Sequence, residues 1–181
     1  MVSLQISPYD GVNAFFRVMR RSAGWPPLLL VYERILPPAD RLVFRATGGK
    51  KTFIGLVTGL PTLMLTTTGA RSGAQRTHPL AYLGKDGDFV VIGANWAKRG
   101  NPQWYHNLRA NPDAKVTVTR SGSCHDVTAR EVTGPERDPY WEQGCRMFPP
   151  WKLYAARSHR DLPVLILARR EERTSAARPD D

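Results

Sequence analysis

Between Thr66 and Leu80 the chain reads Thr-Thr-Thr-Gly-Ala-Arg-Ser-Gly-Ala-Gln-Arg-Thr-His-Pro-Leu, joining two apolar runs through a turn loaded with anion-binding groups. Gly69 and Gly73 permit positive φ, so successive backbone N–H groups can converge on one anion. Ser72 adds a hydroxyl, and Arg71 and Arg76 add charge. A phosphorylated ligand suits this composition, although an ordinary solvated hairpin loop uses the same residue types. The stretch is not a Walker loop, which needs Lys followed by Ser or Thr at the start of a helix. Nor is it the Gly-rich turn of a dinucleotide fold.

A second constellation begins at Asn95 and Trp96, passes Lys98, and continues through Asn101-Pro102 to Trp104, Tyr105 and Asn107. Asn101 offers an N-cap and Pro102 a first helical position. A helix is therefore expected over Trp104 to Arg109, ended by Asn111-Pro112. Its N-terminus favours an anionic group. Trp104 and Leu108, at i and i+4, read equally as a core face. A third group, Phe148, Trp151 and Tyr154, is spaced as a stripe along one side of a helical segment. It suits either an aromatic core or a pocket for a flat molecule.

The chain of 181 residues can bury one sizeable core, and nothing in it resembles a linker between independent domains. Its net charge of +10 favours an anionic partner. The basic residues are dispersed and accompany no nucleic-acid-binding motif, so nucleic acid is not the expected partner. Cys124 and Cys145 lack metal-ligand spacing and read as reduced thiols, and the four histidines form no local ligand pair, so no metal site is expected. No apolar run reaches the roughly 20 residues that span a bilayer, and the start of the chain lacks a signal-peptide core; a cytoplasmic protein is expected.

The elements that must position these groups are short. Strands are expected near 62–68, 78–84 and 88–94, with a hairpin turn at Asp86-Gly87. Further strands carry Val116 and Val118, then Val127 to Thr133, and finally Leu162 to Leu167. Asp138 to Tyr154 reads as helical with a break at Pro149-Pro150. Many short strands with few helices favour an α+β fold built on a small barrel rather than a doubly wound sheet. Ahead of it, residues 1–60 read as a helical extension: an amphipathic helix through Phe15, Phe16 and Met19, then a second from Leu28 to Leu36 stopped by Pro37-Pro38. This extension either packs on the body or on a partner subunit, as in a homodimer, or lies on an anionic membrane. Residues 61–170 form the barrel domain, and 171–181 a frayed tail.

Taken together, Thr-Gly-x-Arg-Ser-Gly at 68–73, Asn-Pro-x-Trp-Tyr at 101–105 and Asn-Leu-x-Ala-Asn-Pro at 107–112 make the chain resemble the deazaflavin-dependent nitroreductase family over roughly residues 60 to 169. These are small split β-barrels of the FMN-binding-like kind that use reduced coenzyme F420. The resemblance implies that Arg71, Ser72 and Gly73 grip the coenzyme phosphate and that Pro79 and Leu80 line the slot for the ring. It also places Asn95 and Trp96 beside the deazaflavin, with Trp104, Tyr105 and Asn107 at the following helix. Ala70 stands where many relatives carry a further basic residue; Arg76 or Lys98 can supply that charge.

The implied reaction is hydride transfer from the reduced deazaflavin to a small electron-poor acceptor such as a quinone, an enone or a nitro compound. Phe148, Trp151 and Tyr154 would form the acceptor pocket, with Trp151 stacking on the acceptor and Tyr154 donating to its oxygen. Relatives often carry tyrosines in this pocket, whereas here a hydroxyl remains only at Tyr154. Two other readings of the same barrel are an oxidoreductase that binds flavin mononucleotide (FMN) and a non-catalytic carrier of F420.

Overall fold

The computed structural model describes residues 14–48 and 51–170, and the expected frayed tail lies outside the described residues. Three helices come first, α1 (Ala14–Ser22), α2 (Pro26–Ala46) and α3 (Phe53–Thr58). The strands β1 (Thr62–Thr68), β2 (Gln75–Lys85) and β3 (Asp88–Ile92) follow, then helix α4 (Gln103–Ala110) and strands β4 (Asp113–Val118) and β5 (Cys124–Val132). Helices α5 (Gly134–Met147) and α6 (Pro150–Ser158) precede the last strand, β6 (Val164–Arg169).

The six strands close into a barrel in the order β1-β2-β3-β6-β5-β4, with β1 pairing β4 to shut it. Every pairing is antiparallel. Alternation fills the interior: Leu63 and Leu65, Phe89 and Val91, Val116 and Val118, Val127, and Leu165 and Leu167 point inward, each pair two residues apart. Trp104, Tyr105 and Leu108 of α4 join this interior cluster. On the outer face of the same sheet, Leu83, Val90, Ile92, Val164 and Ile166 pack with Met147, Phe148, Trp151 and Tyr154. Strands β3 and β6 are thus covered on both faces, which is why β6 is an unbroken apolar run rather than an alternating one.

Three local expectations need correction. Helix α2 continues through Pro37-Pro38 to Ala46. The prolines remove two backbone donors, but beyond them the helix is pinned by buried Asp40, whose Oδ1 accepts from the Ile54 amide at 2.9 Å. The cap of α4 is Pro102, with no side-chain hydrogen bond. Asn101 is drawn away, because its Oδ1 accepts from Arg160 Nη1 at 2.6 Å. Gly69 is not among the residues with positive φ, whereas Gly73 is, at 66°. A side chain at Gly69 would instead strike Ser72 Oγ and the Ala74 carbonyl.

The amino-terminal helices are fastened to the barrel by polar contacts. Arg20 of α1 is buried, with Nε donating to the Thr58 carbonyl at 2.8 Å and Nη1 to the Met147 carbonyl at 3.0 Å. Thr52 caps α3 by accepting from the Gly55 amide, and its Oγ1 also meets that of Thr62 at 2.9 Å. Thr62 in turn meets Thr119, so one chain of hydroxyls ties α3 to β1 and the end of β4. Cys124 is exposed and Cys145 buried, both as free thiols, and burial pushes the Cys145 thiol up to about 11.

Candidate functional site

A cavity of about 640 Å³ opens between the barrel and the amino-terminal helices. Its barrel side is built from β2 residues His78 to Ala81, from Ile92, and from Ala94, Asn95 and Trp96 just after β3. Pro102, Gln103 and Trp104 contribute the start of α4. Phe148, Trp151 and Tyr154 form another wall. The remaining side comes from Met19 and Ala23 at α1, from Val31, Ile35, Leu36 and Asp40 of α2, and from Phe53, Ile54, Val57 and Thr58 of α3. Most of these side chains are apolar, and ligand cavities of roughly 300–1,000 Å³ with few polar groups are the common form of small-molecule site.

The aromatic wall is close-packed. Phe148 meets Trp151 edge-on with centroids 5.5 Å apart and Tyr154 at 6.3 Å. All three are buried, so the core and pocket readings of this stripe describe the same side chains. The same holds for Trp104, only 4 % exposed, which belongs to the barrel interior and also lines the cavity. The Tyr154 hydroxyl is engaged, donating to the Ala23 carbonyl at 2.7 Å. The indoles of Trp104 and Trp151 and the imidazole of His78 make no hydrogen bond to another described residue. Burial pushes the His78 imidazole below its ordinary value, with Arg41 and Arg76 adding to the effect, so at neutral pH the ring is uncharged.

The loop 69–74 lies past the end of β1, where Arg71, Ser72, Gly73 and Arg76 are all exposed and none lines the cavity. Its amides divide into two sets. Gly69 N donates to the Ala74 carbonyl at 2.9 Å and Gly73 N to the Gly69 carbonyl at 2.8 Å, closing the turn. Ala70 N donates to Asn107 Oδ1 at 3.1 Å, and Ala74 N reaches Ser72 Oγ at 3.4 Å. The amides of Arg71 and Ser72 are left with no acceptor among the described residues. Two amides are thus left to meet a ligand, fewer than the glycine spacing alone suggests.

Asn107 connects this loop to the cavity. It is 1 % exposed, and its side-chain amide is used for positioning. Nδ2 donates to Thr67 Oγ1 at 3.0 Å, while Oδ1 accepts from Ala70 N and from Gln103 Nε2 at 3.3 Å. Gln103 is itself a cavity residue. Tyr105 points elsewhere, its hydroxyl donating to Glu131 Oε2 at 2.9 Å. Lys98 is exposed outside the cavity, and its carbonyl accepts from Arg160. Sequence reasoning missed His78, Gln103, Arg160 and the helical wall. His78 had a signal, two residues from Arg76 and from Leu80 on the same strand. Arg160 had none, being some sixty residues from the loop it holds.

A family model described as F420H2-dependent quinone reductase matches residues 40–169. A Mycobacterium tuberculosis H37Rv protein named F420H2-dependent quinone reductase is 34 % identical over 137 residues, covering 71 % of this chain and 86 % of that protein. Among solved structures, an F420-H2 dependent reductase (FDR-A) aligns at 33 % identity and a TM-score of 0.53, covering 59 % of this chain and 93 % of its own. Another, described as a domain-swapped dimer, aligns at 30 % identity and a TM-score of 0.56, covering 70 % and 94 %.

Replacing Asn107 by Ala takes the acceptor from the Ala70 amide and a donor from the buried Thr67 hydroxyl, which keeps only its bond to the Arg76 carbonyl. The expected loss of unfolding free energy in urea is about 1–3 kcal/mol, the range for a buried group left unsatisfied. An unchanged urea midpoint would show that loop 69–74 does not depend on this amide.

Proposed function

The chain belongs to the F420H2-dependent quinone reductase family, and we propose that its cavity brings reduced coenzyme F420 against a quinone or a similarly electron-poor acceptor. The carrying observation is the pairing of an apolar cavity, walled by tryptophans, with a cationic loop joined to it through Gln103 and Asn107. These residues fit the coenzyme. The amides of Arg71 and Ser72 and the guanidinium groups of Arg71 and Arg76 suit its phosphate, with Gly73 supplying the turn. Pro79, Leu80, Asn95, Trp96 and Trp104 suit the flat ring, and exposed Lys98, in the loop after β3, suits an acidic tail. When bound, the reduced deazaflavin supplies a hydride from carbon 5; with one proton the quinone becomes a hydroquinone.

The protein's own part is to bind, align and exclude water. Trp151 lines the acceptor pocket, and its indole N–H, which lies in the ring plane, is a donor for the oxygen where charge develops when the acceptor meets the ring edge-on instead of stacking on it. Because the Tyr154 hydroxyl holds the Ala23 carbonyl, Tyr154 acts by keeping α6 against the end of α1 and shaping the pocket, and donates to the acceptor only by leaving that carbonyl. Neutral His78 supplies a second N–H on the β2 wall. Residues 61–170 are thus the binding domain, and the helices before residue 60 are its cover.

We also propose that this cover docks on an anionic membrane. Arg20 and Met19 hold one face of α1 to the body, while Phe15, Val18 and Trp25 are 57–65 % exposed, beside the exposed Arg17 and Arg21. Val31 and Ile35 of α2 are both exposed and part of the cavity wall, so the apolar surface runs up to the cavity itself. A lipid-soluble acceptor would then enter without crossing water. Among the described residues, no helix is long and apolar enough to cross a membrane. The domain-swapped relative makes a homodimer the assembly to look for by sedimentation.

Four outcomes are expected. Mixing the protein with reduced F420 and a soluble quinone should restore the absorbance of the oxidised deazaflavin. Trp151→Phe should slow turnover about tenfold, the equivalent of one lost hydrogen bond of about 1.4 kcal/mol. Arg71→Ala should instead raise the coenzyme KM with little change in kcat; a fall in kcat alone would remove Arg71 from binding. In co-sedimentation, the protein should pellet with vesicles containing anionic lipid and Phe15→Glu/Val18→Glu should not, whereas equal pelleting of both would end the docking proposal.

A further inference from the structure

The segment between β3 and α4 contains the most strained backbone among the described residues. Asn95, Trp96 and Ala97 have φ of 46°, 55° and 62°, three consecutive non-glycine residues in the left-handed region. Each such residue costs about 1–2 kcal/mol, and they normally occur singly. A run of three persists only where its surroundings over-determine it. Local bonds contribute: Ala97 N donates to the Ala94 carbonyl, Lys98 N to the Asn95 carbonyl, and Asn95 Nδ2 to the Gly100 carbonyl at 2.7 Å.

The larger restraint comes from Arg160, just after α6. Its Nη2 donates to the Gly93 carbonyl at 3.0 Å and the Ala94 carbonyl at 3.3 Å, ahead of the strained turn. Its Nε donates to the Lys98 carbonyl at 3.1 Å and its Nη1 to Asn101 Oδ1 at 2.6 Å, behind it. One planar guanidinium therefore spans both ends of the turn, which the single point charge of a lysine cannot do. The turn presents Asn95 and Trp96 to the cavity, and α6, which leads directly into Arg160, presents Trp151 and Tyr154. Ahead of the turn, Gly93 also packs against Pro163, where any Cβ would meet Pro163 Cγ at 2.7 Å, so that end of the turn has little room to shift.

We propose that Arg160 is a positioning residue that holds the left-handed Asn95–Trp96–Ala97 turn in its strained form and thereby fixes the spacing between the ring-binding wall and the acceptor wall. Removing the brace lets the turn relax toward ordinary backbone, carrying Trp96 out of register with Trp151 without disturbing the barrel. The proposal rests on the cofactor reading for its consequence, but its structural half does not.

The test uses the full chain without coenzyme. Amide hydrogen exchange across residues 93–101 is compared in the unmodified protein, Arg160→Ala and Arg160→Lys. Both variants should exchange that segment roughly tenfold faster or more while β1, β4 and β5 stay as protected as before. Adding Ala97→Gly to Arg160→Ala should recover part of the protection, because glycine accepts positive φ. The second readout is binding of oxidised F420, expected to weaken roughly tenfold in both single variants, with a larger change in KM than in kcat. Unmodified-like exchange in Arg160→Ala, or full function in Arg160→Lys, overturns the proposal. If Arg160→Ala does not fold, Arg160→Lys and Arg160→Gln carry the same exchange comparison. Failure of the unmodified protein to bind F420 would sink the cofactor reading, and the exchange comparison would then decide the brace by itself.

Discussion

A carboxamide with no access to water, that of Asn107, sits where strand β1, the cationic loop and helix α4 meet, and it shares one hydrogen bond with each of the three. The geometry of the candidate site follows from that junction. A loop rich in Gly, Ser and Arg has no packed core of its own and would otherwise sample many shapes. Fixing Ala70 to a buried amide orients the loop, and the next two amides, those of Arg71 and Ser72, have no acceptor among the described residues. The same amide holds Gln103 at the cavity edge. One polar group therefore ties the loop and the cavity edge to β1, and an apolar residue of similar shape could not replace it.

The closed barrel supplies the rigid frame, and the helices before it supply the rest of the cavity. Because β3 and β6 are buried on both faces, Phe148 and the α6 residues Trp151 and Tyr154 pack on a dry surface and still line the cavity. The amino-terminal helices complete the enclosure through α2 and α3; Asp40 ties those two together, and Arg20 and the threonine chain fasten the group to the body. Such a wall can be firmly placed and still carry exposed apolar side chains on its outer face.

What the sequence made legible was mostly local. The apolar run opening the strand at 62–68, the alternating Val116 and Val118, the Asp86-Gly87 turn and the break at Pro149-Pro150 placed strands and helices close to where they lie, because each depends on a few neighbouring residues. The stripe Phe148, Trp151, Tyr154 and the slot residues Pro79, Leu80, Asn95, Trp96 and Trp104 also came together around one cavity. Long-range hydrogen bonding was not legible. Asn101 has the composition of an N-cap but is bound by Arg160, fifty-nine residues away. Tyr105 carries a hydroxyl in a suggestive motif but commits it to Glu131, and Tyr154 commits its own to Ala23. Helix α2 ignored its paired prolines because a carboxylate beyond them had a tertiary partner.

The proposed binding mode places a flat ring in the cavity and an anion on the loop. Titrating the protein with oxidised F420, with the same deazaflavin lacking its phosphate and tail, and with FMN, and following quenching of tryptophan fluorescence, tests both halves together. Tight saturable quenching by F420, weaker quenching by the truncated deazaflavin and still weaker by FMN is the predicted order. Equal affinity for the first two would detach the loop from the site, and preference for FMN, or quenching by none of the three, would contradict a deazaflavin site altogether.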